Sequence, residues 1–320
     1  MPYIYEEVNP KLKMPFVSVI IPVLDDYVRL KKCIRALEQQ DYPKKQFEVI
    51  VVDNGSKNKN EIIDSKKIKI VFLEEEKKGS YAARNLGVSV SKGEICAFTD
   101  ADCIPFSDWL SQGISKLILE KNCRPVAGKI DVFSKVEHSP NVVEFYEQLS
   151  AFRQQEYVDL GKFGVTANLF IPKNIFDDVG LFNAELMSSG DKEWGKRAHS
   201  KGYPTVYSET ACIRHPARST LVSLKRKNLR IALGLHQLST IQKKRGLAFF
   251  LSKIRRAARV VSDIVRTIKF VCQILIGSGS VMRGKRLPVA LLACYTRHIK
   301  VAESIRLELG FLPRALEESL

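Results

Sequence analysis

Residues 94–102 read Glu94-Ile95-Cys96-Ala97-Phe98-Thr99-Asp100-Ala101-Asp102 and decide the fold of this chain. The apolar run predicts a buried β-strand, and side chains of a strand alternate with a period of two, so Asp100 and Asp102 can point at one spot. Two carboxylates at the carboxyl end of a strand in an open α/β sheet suit a hard divalent cation that holds a diphosphate. A ligand-free turn rich in aspartate is the alternative interpretation.

Similar apolar runs precede this strand and alternate with helical patterns. The spacing of Leu30, Ile34 and Leu37 is typical of a helix that begins after Asp25-Asp26. Close alternation of strand and helix predicts right-handed βαβ units, and therefore an α/β fold with a mainly parallel sheet flanked by helices. Besides the strand before Asp100, we predict strands over 16–23, 47–52 and 68–72. We also predict a further helix over 80–91.

Charge divides the chain into a neutral part and a basic part. The whole chain carries 51 Lys+Arg and 35 Asp+Glu, and residues 215–320 hold 21 of those basic residues and only 5 of the acidic ones. The seven cysteines form no CxxC pair, which favours reduced thiols over a disulfide framework. Neither a secretory signal nor an apolar stretch of about 18 residues is evident. We therefore expect a cytoplasmic protein, either free or peripheral on the inner face of the membrane.

The basic part contains a pattern typical of an amphipathic helix. Between 249 and 276, apolar residues recur at spacings of three and four, while Arg256, Arg259, Arg266 and Lys269 fall largely on another face. Such a helix can lie on an anionic membrane, and residues 249–300 are the predicted contact. The alternative is a helical subdomain that packs on the catalytic domain or on a second subunit, so an oligomer stays open.

Other ligand classes lack the motifs they need. No Gly-x-Gly-x-x-Gly follows the first strand, which argues against a dinucleotide enzyme. The near P-loop at 279–285 continues with Arg286 instead of Ser or Thr, and Leu287-Pro288 disfavours the helix that should follow. Net charge alone would suit a nucleic-acid-binding protein, but no aromatic platform is interleaved with the basic residues. A sugar-nucleotide-binding protein or nucleotidyltransferase of similar fold is a further alternative, although the Gly-rich loop common in the latter is absent.

Five motifs in a fixed order make residues 16–216 resemble glycosyltransferase family 2. They are Val19-Ile20-Ile21-Pro22, Val51-Val52-Asp53-Asn54-Gly55-Ser56, Ala82-Ala83-Arg84-Asn85-Leu86-Gly87, Phe98-Thr99-Asp100-Ala101-Asp102, and Ser189-Gly190-Asp191-Lys192-Glu193-Trp194 with Arg197. The resemblance implies an inverting enzyme of GT-A fold that uses a nucleotide sugar. It implies a catalytic domain over 14–235, with a nucleotide-binding half at about 14–103 and an acceptor half at about 104–235, followed by a basic helical region over 236–320.

The resemblance also implies which residues bind the nucleotide. Asp53 would accept a hydrogen bond from the uracil N3–H, and Pro22 with Val23 would form the wall beside the base. Arg84 and Asn85 would lie beside the nucleotide, and an arginine suits a diphosphate by charge and geometry. A plain Asx-turn is the alternative for Asp53, as is a solvated helix face for Asn85.

Metal and catalytic roles are carried over in the same way. Asp102 would coordinate Mn²⁺ or Mg²⁺ directly, Asp100 would coordinate it or contact the ribose, and His215 would be a third ligand, with a structural histidine as the alternative. Asp191 would be the general base that deprotonates the acceptor hydroxyl. This chain has Gly190 where the family usually has a glutamate, a departure from the pattern on the acceptor side. A solvated acidic helix start is the alternative for Asp191.

Three residues lie on the implied acceptor side: Asn168, Glu193 and Trp194. For Asn168, an amide buried in a strand and satisfied by backbone is an equal alternative. The implied activity is transfer of a sugar, with a UDP-sugar as the expected donor, to a hydroxyl of a saccharide or lipid-linked acceptor in polysaccharide or glycolipid synthesis. No nucleic-acid partner is expected.

Overall fold

The computed structural model describes residues 14–57, 64–121, 124–244, 264–265, 267–276 and 284–314. They fall into two compact units. The first unit comprises Met1–Asp131, Phe152–Glu185 and Gly190–His215, and the second comprises Val132–Ala151, Leu186–Ser189 and Pro216–Leu320.

One mixed sheet of eight strands organises the described residues, in the order β3-β2-β1-β4-β7-β6-β8-β5. The strands β1 to β4 are parallel neighbours, whereas β7 runs antiparallel to β4 and β6 antiparallel to β7. The predicted α/β class and the four predicted strands are confirmed. The bounds are β1 Val17–Val23, β2 Phe47–Asp53, β3 Lys69–Glu74, β4 Ile95–Thr99, β5 Ile104–Pro105, β6 Val126–Phe133, β7 Asn168–Pro172 and β8 Val206–Pro216.

Helices follow the strands, as the alternating pattern predicts. Leu30, Ile34 and Leu37 are buried on the first helix, which confirms the periodicity used to predict it. The central strands β1, β2 and β4 are apolar and buried along almost their whole length, as expected for parallel strands covered on both faces. The helices are α1 Tyr27–Glu38, α2 Ser80–Val90, α3 Trp109–Leu119, α4 Val142–Ser150, α5 Gln154–Gly161, α6 Ile175–Val179, α7 Gly190–Ser200, α8 Leu221–Lys244 and α9 Arg286–Glu308, with a 3-10 turn at Lys44–Gln46.

Two long helices, α8 and α9, pack together in the second unit. The predicted domain boundary at 235/236 falls inside α8, so no break between elements occurs there. Most of the near P-loop and residues 249–263 of the predicted basic helix lie outside the described residues, while 264–265 and 267–276 are helical. Within the described ranges, we find no helix that is both long and apolar enough to cross a membrane.

The expectation that Leu287-Pro288 would disfavour a helix is wrong, because α9 begins at Arg286. Pro288 lies in the first turn of α9, where backbone N–H groups have no partner within the helix. A missing N–H therefore costs nothing at this position, and the fixed φ of proline is compatible with the helix.

Candidate active site

Polar side chains meet where the parallel strands of the first unit end. Asp53 is the last residue of β2, and its register partner on β1 is Val23. Asp100 follows the last residue of β4, the strand on the other side of β1. Adjacent parallel strands end at one edge of a sheet, so the predicted nucleotide and metal residues share that edge. His215 reaches the same region from the end of β8.

Asp100, Asp102, Cys103 and His215 form a cluster of potential metal ligands. One ligand atom from each lies within 4.8 Å of every other. His215 Nε2 lies 3.5 Å from Asp102 Oδ1. Burial raises the pKa of the Cys103 thiol well above its usual value, and the charges of Asp100 and Asp102 raise it further. A thiol is a poor ligand for a hard cation, whereas the two carboxylates and the imidazole could hold a cation such as Mn²⁺ or Mg²⁺.

Each carboxylate of this cluster also faces an arginine. Arg84, only 4% exposed, places Nη2 2.5 Å from Asp100 Oδ1. Its buried Nε–H has no hydrogen-bond partner in the part of the chain that the structure describes. Arg29 on α1 lies 3.4 Å from Asp102 and 2.6 Å from Asp26. The sequence analysis identified Arg84 but missed Arg29, since only the neighbouring Asp26 is visible as its local partner.

Asp191 lies in the first turn of α7, beside the same cluster. Its Oδ1 accepts hydrogen bonds from the Tyr81 hydroxyl at 3.3 Å and from the Lys192 N–H at 2.8 Å. Burial raises the pKa of Asp191, and the charge of Asp100 adds to this, while the Lys192 N–H, Arg84 and Tyr81 oppose it. The Arg84 guanidinium lies over the Tyr81 ring, 5.7 Å from its centroid, and also contacts Asp100, so Tyr81 and Arg84 link Asp191 to the carboxylate cluster. Sequence reasoning missed Tyr81, which lies in a run of small apolar residues.

The structure also explains Gly190, where the chain departs from the family pattern. A Cβ at Gly190 would lie 2.6 Å from Cε2 of Tyr81, closer than real Cβ atoms approach other atoms. The absent side chain therefore lets the start of α7 meet the Tyr81 ring. Because Tyr81 donates to Asp191, the glycine and the tyrosine together position the carboxylate.

Asp53 has the hydrogen bonds of an Asx-turn. It is fully buried, and its Oδ1 accepts from the N–H groups of Gly55 at 2.9 Å and Ser56 at 2.8 Å. Its Oδ2 accepts a short hydrogen bond from the Tyr27 hydroxyl. Burial alone would raise the pKa of Asp53, but the hydrogen bonds from Tyr27, Ser56 and Gly55 outweigh it and the pKa is lowered. The predicted contact of this carboxylate with the nucleobase of the donor stays a prediction.

The two residues expected beside the base lie next to Asp53. Val23 is buried and Pro22 is half-buried at the end of β1. Asn54, which follows Asp53, accepts from the Gly79 N–H at 2.6 Å and donates to the carbonyl groups of Glu75 and Lys77. These contacts fix the loop that leads into α2, the helix that carries Arg84.

Three side chains with predicted ligand contacts are held by contacts within the protein. The Asn85 side-chain amide donates to the Phe182 carbonyl at 2.8 Å and accepts from the Phe182 N–H at 3.0 Å. It therefore connects α2 to the backbone at Phe182. Trp194 is 1% exposed, packs among core aromatic rings and donates to a backbone carbonyl, so it offers no surface to an acceptor. Glu193 accepts two hydrogen bonds from Arg197, at 3.0 and 2.8 Å, and its contact with an acceptor stays a prediction.

Asn168 is also a structural residue. It is fully buried at the start of β7, where Oδ1 accepts from the Trp109 indole at 2.8 Å. Its amide donates to the carbonyl groups of Lys129 at 2.8 Å and Ala211 at 2.9 Å. Every polar group of the side chain is therefore satisfied inside the protein, which matches the alternative interpretation of this residue and not an acceptor contact.

Phe152 is a further residue that the sequence did not reveal. Its backbone adopts the left-handed region at φ 51°, which is uncommon for a bulky residue. Its ring packs on the His215 imidazole with centroids 4.3 Å apart. Phe152 also lines a largely polar cavity of about 300 Å³ with Lys129, Arg153, Gln154, Glu156 and Tyr207.

Comparison with known proteins identifies the class to which this site belongs. The family model "Glycosyl transferase family 2" matches residues 18–180. The chain therefore belongs to glycosyltransferase family 2, and the protein is a transferase.

Individual relatives support this assignment. Glycosyltransferase AglE of Haloferax volcanii is 36% identical over 233 residues, which cover 70% of this chain and 74% of the relative. A dolichyl N-acetyl-alpha-D-glucosaminyl phosphate 3-beta-D-2,3-diacetamido-2,3-dideoxy-beta-D-glucuronosyltransferase of Methanococcus voltae is 25% identical over 221 residues, which cover 65% of this chain and 69% of the relative. The mannosyltransferase PcManGT of Pyrobaculum calidifontis, solved with GDP-Man and Mn²⁺, has a TM-score of 0.60 at 16% identity and covers 92% of this chain and 87% of its own. The last likeness confirms the GT-A fold.

Proposed function

We propose that this enzyme transfers a sugar from a UDP-sugar to a hydroxyl group of a saccharide or lipid-linked acceptor, with inversion at the anomeric carbon. The observation that carries the proposal is the convergence of Asp100, Asp102, His215, Arg84 and Asp191 at one edge of the sheet. In this arrangement the groups that hold a diphosphate are distinct from the group that takes the acceptor proton.

The donor side would be organised by the carboxylates, the imidazole and the two arginines. Asp100, Asp102 and His215 would hold Mn²⁺ or Mg²⁺, which supplies positive charge to the departing diphosphate when bound. Arg84 pairs with Asp100 and orients it, and its Nε–H, which has no partner among the described residues, supplies a further donor. Arg29 pairs with Asp102 in the same way. Both side chains place fixed positive charge where the leaving group is negative.

The acceptor proton would be taken by Asp191. Among the described contacts of this carboxylate, both hydrogen bonds end on Oδ1, so we assign proton transfer to Oδ2. Burial raises the pKa of Asp191, which makes it a stronger base than an exposed aspartate. The attacking hydroxyl oxygen forms the bond to the anomeric carbon as the bond to the diphosphate breaks.

The acceptor class rests on the relatives and not on a described contact. The Methanococcus voltae relative is named for a dolichyl-linked phosphate acceptor. A Campylobacter jejuni relative, 30% identical over 115 residues, is named for an undecaprenol-linked acceptor. We therefore favour a lipid-linked saccharide over a free one. We also propose that the catalytic domain spans residues 14–235.

A panel of nucleotide sugars with and without Mn²⁺ tests the activity, and NMR of the product tests the inversion. Asp191→Asn should lower turnover by roughly 100-fold or more yet leave the Kd for UDP nearly unchanged. Asp159→Asn, an exposed carboxylate on α5, is the matched control and should keep full turnover. Retained turnover in Asp191→Asn would remove this residue from the role of base.

Metal binding is tested separately by the thermal shift that Mn²⁺ with UDP produces. Asp102→Asn and His215→Ala should each reduce this shift, since each removes a ligand from the cluster. An unchanged shift in both variants would contradict the assigned ligand set. A preference for GDP over UDP in the same assay would show that the nucleobase of the donor is guanine. The proposed class of reaction would stay the same.

A further inference from the structure

The second unit exposes apolar side chains along one side of α9. The exposed fractions are 62% for Leu287, 62% for Leu291, 41% for Tyr295, 54% for Ile305 and 71% for Leu309. Steps of four residues, and one of ten, keep these positions on one side of a helix. The resulting apolar stripe extends over about 33 Å at 1.5 Å per residue, with the exposed His298 between its two parts. Exposed apolar surface of this kind marks an interaction site.

The other side of α9 is already occupied. Val289, Leu292, Thr296 and Ile299 are buried where α9 packs on other helices of the unit. The Thr296 hydroxyl also forms a hydrogen bond of 2.8 Å with Tyr146 on α4. Among the described residues of α9, the outward stripe is therefore the surface that a partner can contact.

A second apolar stripe lies on the helical residues 264–276. The exposed fractions are 45% for Ile264, 57% for Ile268, 44% for Leu275 and 81% for Ile276. Positions 264, 268 and 275 belong to the apolar face that the sequence periodicity identifies. If this face packed within the unit, those side chains would be buried. The described residues therefore leave these side chains uncovered, and a partner could cover them.

The surface around the stripes is poor in negative charge. Of the acidic side chains described in the second unit, Glu144, Glu147 and Glu303 are buried, which leaves Glu137 and Glu308 at the surface. Basic side chains are exposed in the same unit at Arg226, Arg230, Lys269 and Arg314. A second copy would present the same positive surface to the first, because a two-fold interface pairs like with like. The charge therefore disfavours self-association and favours an anionic partner.

We propose that the two apolar stripes of the second unit dock on an anionic lipid bilayer surface. The exposed leucine and isoleucine side chains enter the acyl boundary, and the exposed lysine and arginine side chains of the unit supply the positive charge that attracts anionic headgroups. Because the inner sides of these helices pack within the protein, the helices lie along the surface. This binding surface is independent of the donor, the acceptor and the catalytic residues.

Co-sedimentation of the full chain with vesicles tests the proposal. Vesicles of phosphatidylcholine with phosphatidylglycerol should bind the protein, in a manner that salt weakens, and pure phosphatidylcholine vesicles should bind it much less. The double variant Leu291→Glu, Ile305→Glu should bind on the order of 100-fold more weakly, since each change withdraws one large apolar side chain from the bilayer. The matched control is Leu119→Glu, Leu160→Glu, two side chains of 70% and 71% exposure in the first unit, which should bind as the unaltered chain does.

A second measurement does not depend on how the glutamate variants fold. Cys294 is exposed on α9, and replacing Cys123, Cys212 and Cys272 with Ser directs an environment-sensitive fluorophore to it. Its emission should shift to shorter wavelength when anionic vesicles are added. Absence of both vesicle binding and this shift would overturn the proposal, as would equal binding to neutral vesicles. A dimer that Leu291→Glu dissociates, in sedimentation equilibrium, would show that the stripe is a subunit interface instead.

Discussion

Replacing Asn168 with alanine should destabilise the protein strongly, because this side chain joins several elements of the first unit. The change leaves the Trp109 indole N–H and the carbonyl groups of Lys129 and Ala211 without their partner. A buried polar group left unpaired costs about 1 to 3 kcal/mol, so the loss in the free energy of unfolding should be about 4 kcal/mol. At roughly 2 to 4 °C per kcal/mol for a unit of this size, the Tm should fall by about 10 °C.

The matched control is Asn174→Ala, because Asn174 is exposed and its side chain makes no capping hydrogen bond. We expect its Tm to stay within about 2 °C of the original value. Thermal unfolding followed by circular dichroism measures both variants, and turnover is measured well below either midpoint. If Asn168→Ala kept its Tm but lost turnover, the structural role would be refuted and an acceptor contact would replace it.

Three further predictions concern ionisable groups. Tyr81→Phe removes a hydrogen bond that lowers the pKa of Asp191, so the acidic limb of the kcat/KM profile should move to higher pH; a shift to lower pH would contradict this. Asp191→Asn should raise the Tm at pH 7. A carboxylate whose pKa is raised on folding destabilises the folded state once the pH exceeds that raised pKa, and the asparagine removes this cost. The gain in Tm should vanish in melts below the unfolded pKa of about 3.9, where the carboxyl group is protonated in both states. Glu147→Gln leaves Arg218 and Lys227 without their buried partner, so denaturant titration should show a loss of about 3 to 5 kcal/mol, and a loss under about 1 kcal/mol would argue against the ion pairs.

Local patterns in the sequence were sufficient for the first half of the sheet and for its helices. Continuous apolar runs predicted β1, β2 and β4, since strands covered on both faces bury every side chain. The antiparallel strands beyond β4 were not predicted, because their partners are distant in sequence. The prediction that Pro288 disfavours a helix failed at α9, since the effect of a proline depends on whether it lies in the first turn or in the interior of a helix.

Site residues divide in the same way. Asp100 and Asp102 were recognisable because their spacing is local, and Arg84 because it belongs to a motif. Trp194 was assigned to the acceptor from its motif, but burial against other aromatic side chains decides what a residue can touch, and only the folded chain shows it.

The sequence by itself determined the alternation of strands and helices as far as β4, the position of the Asp-x-Asp at a strand end and the family that the chain resembles, because these depend on residues close to each other along the chain. The tertiary structure alone decided that Tyr27 meets Asp53, that Tyr81 meets Asp191 and that Gly190 makes room for it. It also decided which side of α9 is exposed. Such contacts join residues far apart in sequence, and their partners depend on how the elements pack.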